Sequence, residues 1–157
     1  MCLNVLKVKH SYKYETIDGQ KLIPVWKVVT NLHESPSSAI GAATGAKYHA
    51  WNQGWNQSSV RGVKQEQEMN FVISLLNQVY LGFHLLITKK DAVAYMNAMI
   101  QHYKKTVTIR PKDLTHRLKV IKVYVKKEDV VGKGTSSFGN FFGCPSLVAT
   151  KAYWKGI

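Results

Sequence analysis

His84 stands inside the apolar run Leu81–Thr88 (LGFHLLIT), where an imidazole needs a hydrogen-bond partner. Turned into a cleft, it could face a ligand or exchange a proton, which makes His84 the candidate catalytic residue. The other histidines, His10, His33, His49, His102 and His116, never fall at metal-ligand spacing, so no metal site is expected, and no cofactor is implied. Glu34, Glu66, Glu68, Glu128 and Asp129 include no pair that sequence alone places on one face of a pocket. Cys2 offers a different chemistry. Removal of Met1 would expose a cysteine whose own amine serves as its base, the layout of N-terminal-nucleophile hydrolases, but no Asp, Asn and Arg set follows at telling spacing. With Cys144 near the other end, the two cysteines make no disulfide framework, and reduced thiols are expected.

Two segments suit binding better than catalysis. Gly132-Lys133-Gly134-Thr135-Ser136-Ser137 combines glycine-freed amides, a lysine and hydroxyls, the ingredients of a phosphate cradle. Its spacing is not that of a Walker loop, which also leads from a strand into a helix. It reads as a flexible connection between strands, or as an anion-holding loop of another kind. The tandem Trp51-Asn52-Gln53 and Trp55-Asn56-Gln57, separated by Gly54, also has two readings. Both Trp share a helical face in the core, or they form a stacking platform for bases, with Asn and Gln supplying edge hydrogen bonds.

Charge points to the partner. The net charge is +13 on 157 residues, with an isoelectric point near 9.8. From Lys89 to Lys133 twelve Lys and Arg stand against four acids, so eight of the thirteen net charges fall in that stretch. An anionic partner is expected, a nucleotide or a nucleic acid, contacted through Trp51, Trp55, His84, Arg117, Lys119, Lys122, Lys133 and Thr135. The basic strand carrying Arg117, Lys119, Lys122, Lys126 and Lys127 is its expected footprint. No stretch reaches the roughly 18 apolar residues of a membrane helix, and Met1–Asn4 followed by Lys7, Lys9 and Lys13 lacks the apolar core of a secretory signal. A cytoplasmic protein without a membrane partner is expected, with self-association left open.

Strand character is strongest in Lys21–Thr30, preceded by the Asp18-Gly19 turn signal, with Pro24 placing the strand's start at an edge. Residues 35–59 read as a long surface loop. Met69, Val72, Ile73, Leu76 and Tyr80 recur at helical spacing, with a strand possible in the second half. Leu81–Thr88 is a buried strand, and Thr88-Lys89-Lys90-Asp91 has the form of a capping box for a helix whose Ala92, Met96, Met99, Ile100 and Tyr103 share a face. Arg117–Lys127 is a strand, Val131–Gly143 a glycine loop, and Ser146–Trp154 the last strand. This pattern predicts one compact α+β domain over residues 1–157, a mostly antiparallel sheet with one or two packed helices.

The strand Gly82–Thr88 with Asp91, Ala92 and Tyr95 behind it, and the later Glu128-Asp129-Val130-Val131-Gly132-Lys133-Gly134, resemble elements of small phage-encoded proteins. Those proteins combine a Gly-x-His strand, a polar cap and a helix with an early Ala, and a basic strand ending in an acidic-Val-Val-x-x-Gly element. The resemblance covers a minority of the chain and implies a phage or mobile-element origin, hence a host cytoplasm. The same strand-helix unit is similar to one in ADP-ribosyltransferase-like domains, with Trp26-Lys27 near that family's first strand, but the family's catalytic glutamate has no counterpart near the final strand. Rich in charge and aromatics and poor in paired acids and bases, the sequence favours a binder over an enzyme. The expectation is an accessory protein that captures an anionic nucleotide-like ligand, such as a host defence signalling nucleotide. RNA or DNA binding and a nucleotide-acting enzyme are the alternatives.

Overall fold

The computed structural model describes residues 3–5, 11–30, 37–38, 51–58, 78–79, 82–106, 118–138 and 141–156. Cys2, Arg117 and the helical pattern from Met69 to Leu76 lie outside them. The first hairpin follows from its turn. β2 (Glu15–Ile17) passes through Asp18 and Gly19, at φ of 49° and 79°, into β3 (Gln20–Thr30). Two consecutive positive φ values are the hairpin turn whose twist matches antiparallel strands, and Asp-Gly tolerates them. β3 runs through Pro24 rather than starting there. Pro24 falls between Leu22, paired to β2, and Trp26, paired to β7 (Phe83–Leu86), while β8 (Leu118–Val125) pairs with β3 from Ile23 to Thr30.

Around this pair lie β1 (Leu3–Val5), β4 (Ser37–Ser38), β5 (Gly54–Gln57), β6 (Gln78–Val79), β9 (Val130–Phe138), β10 (Phe141–Ala149) and β11 (Lys151–Trp154). Every ladder is antiparallel, in the order β5-β11-β8-β3-β7-β10-β9-β1-β6, with β2 and β4 also on β3. One α-helix appears among the described residues, α1 (Lys89–Thr106). At its start the Asp91 amide donates to Thr88 Oγ1 (3.1 Å), whose hydroxyl donates to Asp91 Oδ2 (2.8 Å). Ala92, Tyr95 and Met99 are buried and Met96 and Ile100 partly so, which is the apolar face its spacing requires. The domain is therefore α+β, built on an antiparallel sheet.

Three sequence expectations are corrected. Val131–Gly143 is no connecting loop, because β9 occupies most of it, bonded to β1 on one side and β10 on the other. Glycine weakens a strand by entropy, and pairing along both edges offsets that cost. Ser146–Trp154 is not one strand but the end of β10 and all of β11, parted by Thr150. Residues 35–59 are not a single loop, since β4 and β5 lie within them and Trp51 is in the core. Gln78–Val79 is strand, the alternative left open for the second half of the Met69–Tyr80 pattern.

The one-residue step at Thr150 shapes the sheet. β10 and β11 are consecutive in the chain yet separated in the sheet by β7, β3 and β8, so the sheet must roll until the end of β10 meets the start of β11. Backbone bonds fasten this corner: Thr150 N–H donates to the Asp129 carbonyl (3.0 Å), and Ser58 N–H donates to the Thr150 carbonyl (2.9 Å). The rolled sheet encloses one cluster, with Val25, Val29, Trp51, Leu85, Val123, Leu147, Ala152 and Trp154 among its members. On the outer face α1 covers a second cluster, including Val28, Leu86, Leu118 and Cys144.

Candidate ligand-binding face

Alternation along β8 sorts its residues. Ile121, Val123 and Val125 join the inner core, while Leu118 and Val120 point outward into the cluster under α1. The outward series continues with Lys122 and Tyr124, and Lys126 follows just past the strand's end. Register then assembles a row from three distant segments. Trp55 of β5 lies opposite Tyr153 of β11, and Tyr153 lies opposite Tyr124 of β8. The Trp55 and Tyr153 rings are 5.4 Å apart and tilted by 59°.

Lysines sit among these rings. Lys126 Nζ is 5.1 Å from the Trp55 ring centroid, and Lys122 and Lys155 lie 5.5 Å and 5.4 Å from that of Tyr124. Lys122 also lies 5.7 Å from the ring of Trp26, its cross-strand partner. Cation–π contacts of this kind hold aromatic and basic groups together on a wet surface. Lys122 also makes a 2.9 Å ion pair with Glu15, and the hydrogen bond between them raises the lysine's pKa. Among the described residues no ion pair engages Lys126, Lys151 or Lys155.

Trp55 owes its display to Asn56. The Asn56 side chain is 3% exposed, accepts from the Asn52 amide (3.0 Å) and donates to the carbonyls of Asn52 (2.9 Å) and Gly54 (3.0 Å). This clamp shapes the turn before β5, where Gly54 has φ 101°. It leaves Trp55 outward at 44% exposure. Where β5, β11 and the 3-10 turn Lys127–Asp129 meet, a cleft of about 370 Å³ opens, lined by Trp55, Asn56, Gln57, Lys126, Glu128, Asp129 and Lys151. That volume falls in the range of small-molecule sites.

The structure gathers two of the sequence-predicted residues on this face, Trp55 and Lys122. Trp51 is 1% exposed, with its ring 4.8 Å from Phe83, so the tandem divides into one core and one surface tryptophan. Lys119 lies opposite Val29 and so on the other face of β8 from Lys122. Lys133 and Thr135 lie opposite Leu147 and Pro145, also on the inner side of the sheet, with Lys133 Nζ 5.0 Å from the Tyr12 ring. Both belong to a strand that leads into another strand, not to a phosphate loop. His84 is half-buried on the helix side of β7, and β7 lies four positions from β5 in the sheet. Lys126, part of the expected basic footprint, also lies on this face, whereas Tyr153, Tyr124, Lys151 and Lys155 belong to it but not to the expected site. The spacing of Lys151, Tyr153 and Lys155, alternating with buried Ala152 and Trp154, carries the signal for three of them.

Two buried groups stand apart from this face. Lys27 is 5% exposed between Val25 and Val29, and donates to the His84 carbonyl at 3.1 Å. Burial lowers its pKa from 10.5 to about 8. Cys144 lies under α1, where burial first and the Asp91 carboxylate second raise its thiol to about 11, so it stays protonated and weakly nucleophilic at neutral pH. Among the described residues no cluster of His, Cys, Asp and Glu could hold a metal ion, and no helix is long and apolar enough to cross a membrane. Compared with protein-family models, curated proteins and solved structures, the chain has no match.

Proposed function

We propose that this protein binds an anionic nucleotide-type ligand at the Trp55 cleft. The observation that carries the reading is an exposed indole beside two lysines that no ion pair engages among the described residues: Trp55 is 44% exposed with Lys126 over its ring, and Lys151 shares the cleft. A base stacks on the indole, Lys126 and Lys151 pair with phosphate, and Glu128 and Asp129 accept hydrogen bonds from sugar hydroxyls or base amino groups. Lys155 lies one ring further along the face. Such a site supplies affinity without needing a reaction, which suits a phage-type accessory protein that sequesters a host signalling nucleotide.

Titration calorimetry with mono-, di- and cyclic nucleotides tests this. Trp55→Ala and the double variant Lys126→Gln/Lys151→Gln are each expected to weaken binding at least tenfold, about 1.4 kcal/mol, with unfolding curves close to the parent's. Absence of binding by every nucleotide at millimolar concentration overturns the proposal. Conversion of a bound nucleotide into product replaces the binder with an enzyme.

A further inference from the structure

The ring and lysine contacts do not stop at the cleft. Beyond Tyr153 the row continues to Tyr124, covered by Lys155 and Lys122, and Lys122 leads to Trp26 on β3. We infer that the occupant of this face is a single-stranded oligonucleotide, whose first base stacks on Trp55 and whose later bases lie toward Trp26. The inference rests on the nucleotide reading of the cleft and extends it from a monomer to a strand.

The dimensions favour a strand. Trp55 and Trp26 stand on strands three positions apart in the sheet, a separation of about 14 Å at roughly 4.8 Å per strand. Trp26 is further displaced along the sheet, because its partner is Lys122 rather than Tyr124. One nucleotide seated on Trp55 cannot also stack on Trp26. Across the face, Lys126 stands at Trp55, Tyr153 and Tyr124 follow, and Lys155 and Lys122 stand over Tyr124 ahead of Trp26, so ammonium groups flank the rings at two places along the row, where a strand's phosphates would pass. Tyr124 is 4% exposed and serves as the floor beneath Lys122 and Lys155, so bases stack on Trp55 and on the part-exposed Tyr153 and Trp26. Such stacking needs bases with open faces, which a single strand offers and a duplex withholds. An incoming base takes the Trp55 face that Lys126 now covers, and the displaced ammonium moves to the adjoining phosphate.

The test measures affinities for thymidine monophosphate, for oligothymidylates of two to six nucleotides, and for a duplex of matching length. Affinity is expected to rise at least tenfold from one to three nucleotides and then level off, with the log–log salt slope steepening by about 0.7 per added phosphate. Lys122→Gln/Lys155→Gln is expected to abolish the gain with length while leaving monophosphate binding unchanged, and Lys90→Gln, on α1, to alter neither. Equal affinity for monomer and trimer overturns the inference but leaves the cleft reading standing. So does a length gain that survives Lys122→Gln/Lys155→Gln, or a duplex that binds as tightly as the single strand. Failure of monomer and oligomers alike overturns both.

Discussion

Trp51 is closed into the core against Phe83, whereas Trp55, four residues on, keeps 44% of its surface. Trp51→Ala leaves a large internal void and is expected to cost about 3–5 kcal/mol in urea unfolding. Trp55→Ala removes only surface contacts and is expected to cost less than about 1 kcal/mol. A reversed order would contradict the division of the tandem. Lys27 gives a second contrast. Its folded pKa, about 8, lies below the ordinary 10.5, so the unfolded chain holds the proton more tightly. Below pH 8 both states are protonated, and the burial cost, on the order of 3 kcal/mol, is undiminished. Between pH 8 and 10.5 the folded state alone has released its proton, so stability rises with pH through that window. Lys27→Met is expected to be more stable than the parent at pH 7, after losing about 1 kcal/mol with the bond to the His84 carbonyl. That advantage should fade as pH climbs from 8 to 10.5, and denaturant midpoints across this range would expose a difference that does not change.

At the scale of elements, the approach to β7 depends on Gly82. Its φ is 107°, and a Cβ there would meet the Ala149 carbonyl oxygen and Val148 Cγ1, each at 2.8 Å. Gly82→Ala is expected to destabilise by at least about 2 kcal/mol through backbone strain and steric overlap, and thermal unfolding at the parent's midpoint would refute this. Local patterns make some elements legible in the sequence: Asp18-Gly19 marks the hairpin, Thr88 with Asp91 marks the start of α1, and Ala92, Met96, Met99 and Ile100 mark its buried face. β9 is not legible in this way. Gly132 and Gly134 have low intrinsic strand preference, and their extended backbone is held by pairing, Gly132 with β10 and Gly134 with both β10 and β1, whose approach no local pattern reveals.

Across the whole molecule, the candidate face combines Trp55, Lys122, Tyr124, Lys126, Lys151, Tyr153 and Lys155, which meet only through sheet register. Charge counting finds the concentration between Lys89 and Lys133, yet the fold distributes it over both faces. Lys119 and Lys133 go to the inner side and Lys122 to the outer, where Lys151 and Lys155 arrive from beyond the dense segment. The sequence thus points to an anionic partner while leaving the convergence of its lysines to the topology.

The same topology sets a timetable for synthesis. β3 is made early, but its partner β8 begins only at Leu118, and Leu3 of β1 waits for Ser136. Long-range pairing of this kind is slow to form and leaves hydrophobic strands open meanwhile. Val25, Val28 and Val29 are then an invitation to intermolecular pairing, and the segment that carries them is interrupted by Pro24 and Lys27, residue types that discourage it. The lysine that weakens the finished fold therefore protects the unfinished one, and the more stable Lys27→Met variant should give the lower yield of soluble protein on refolding.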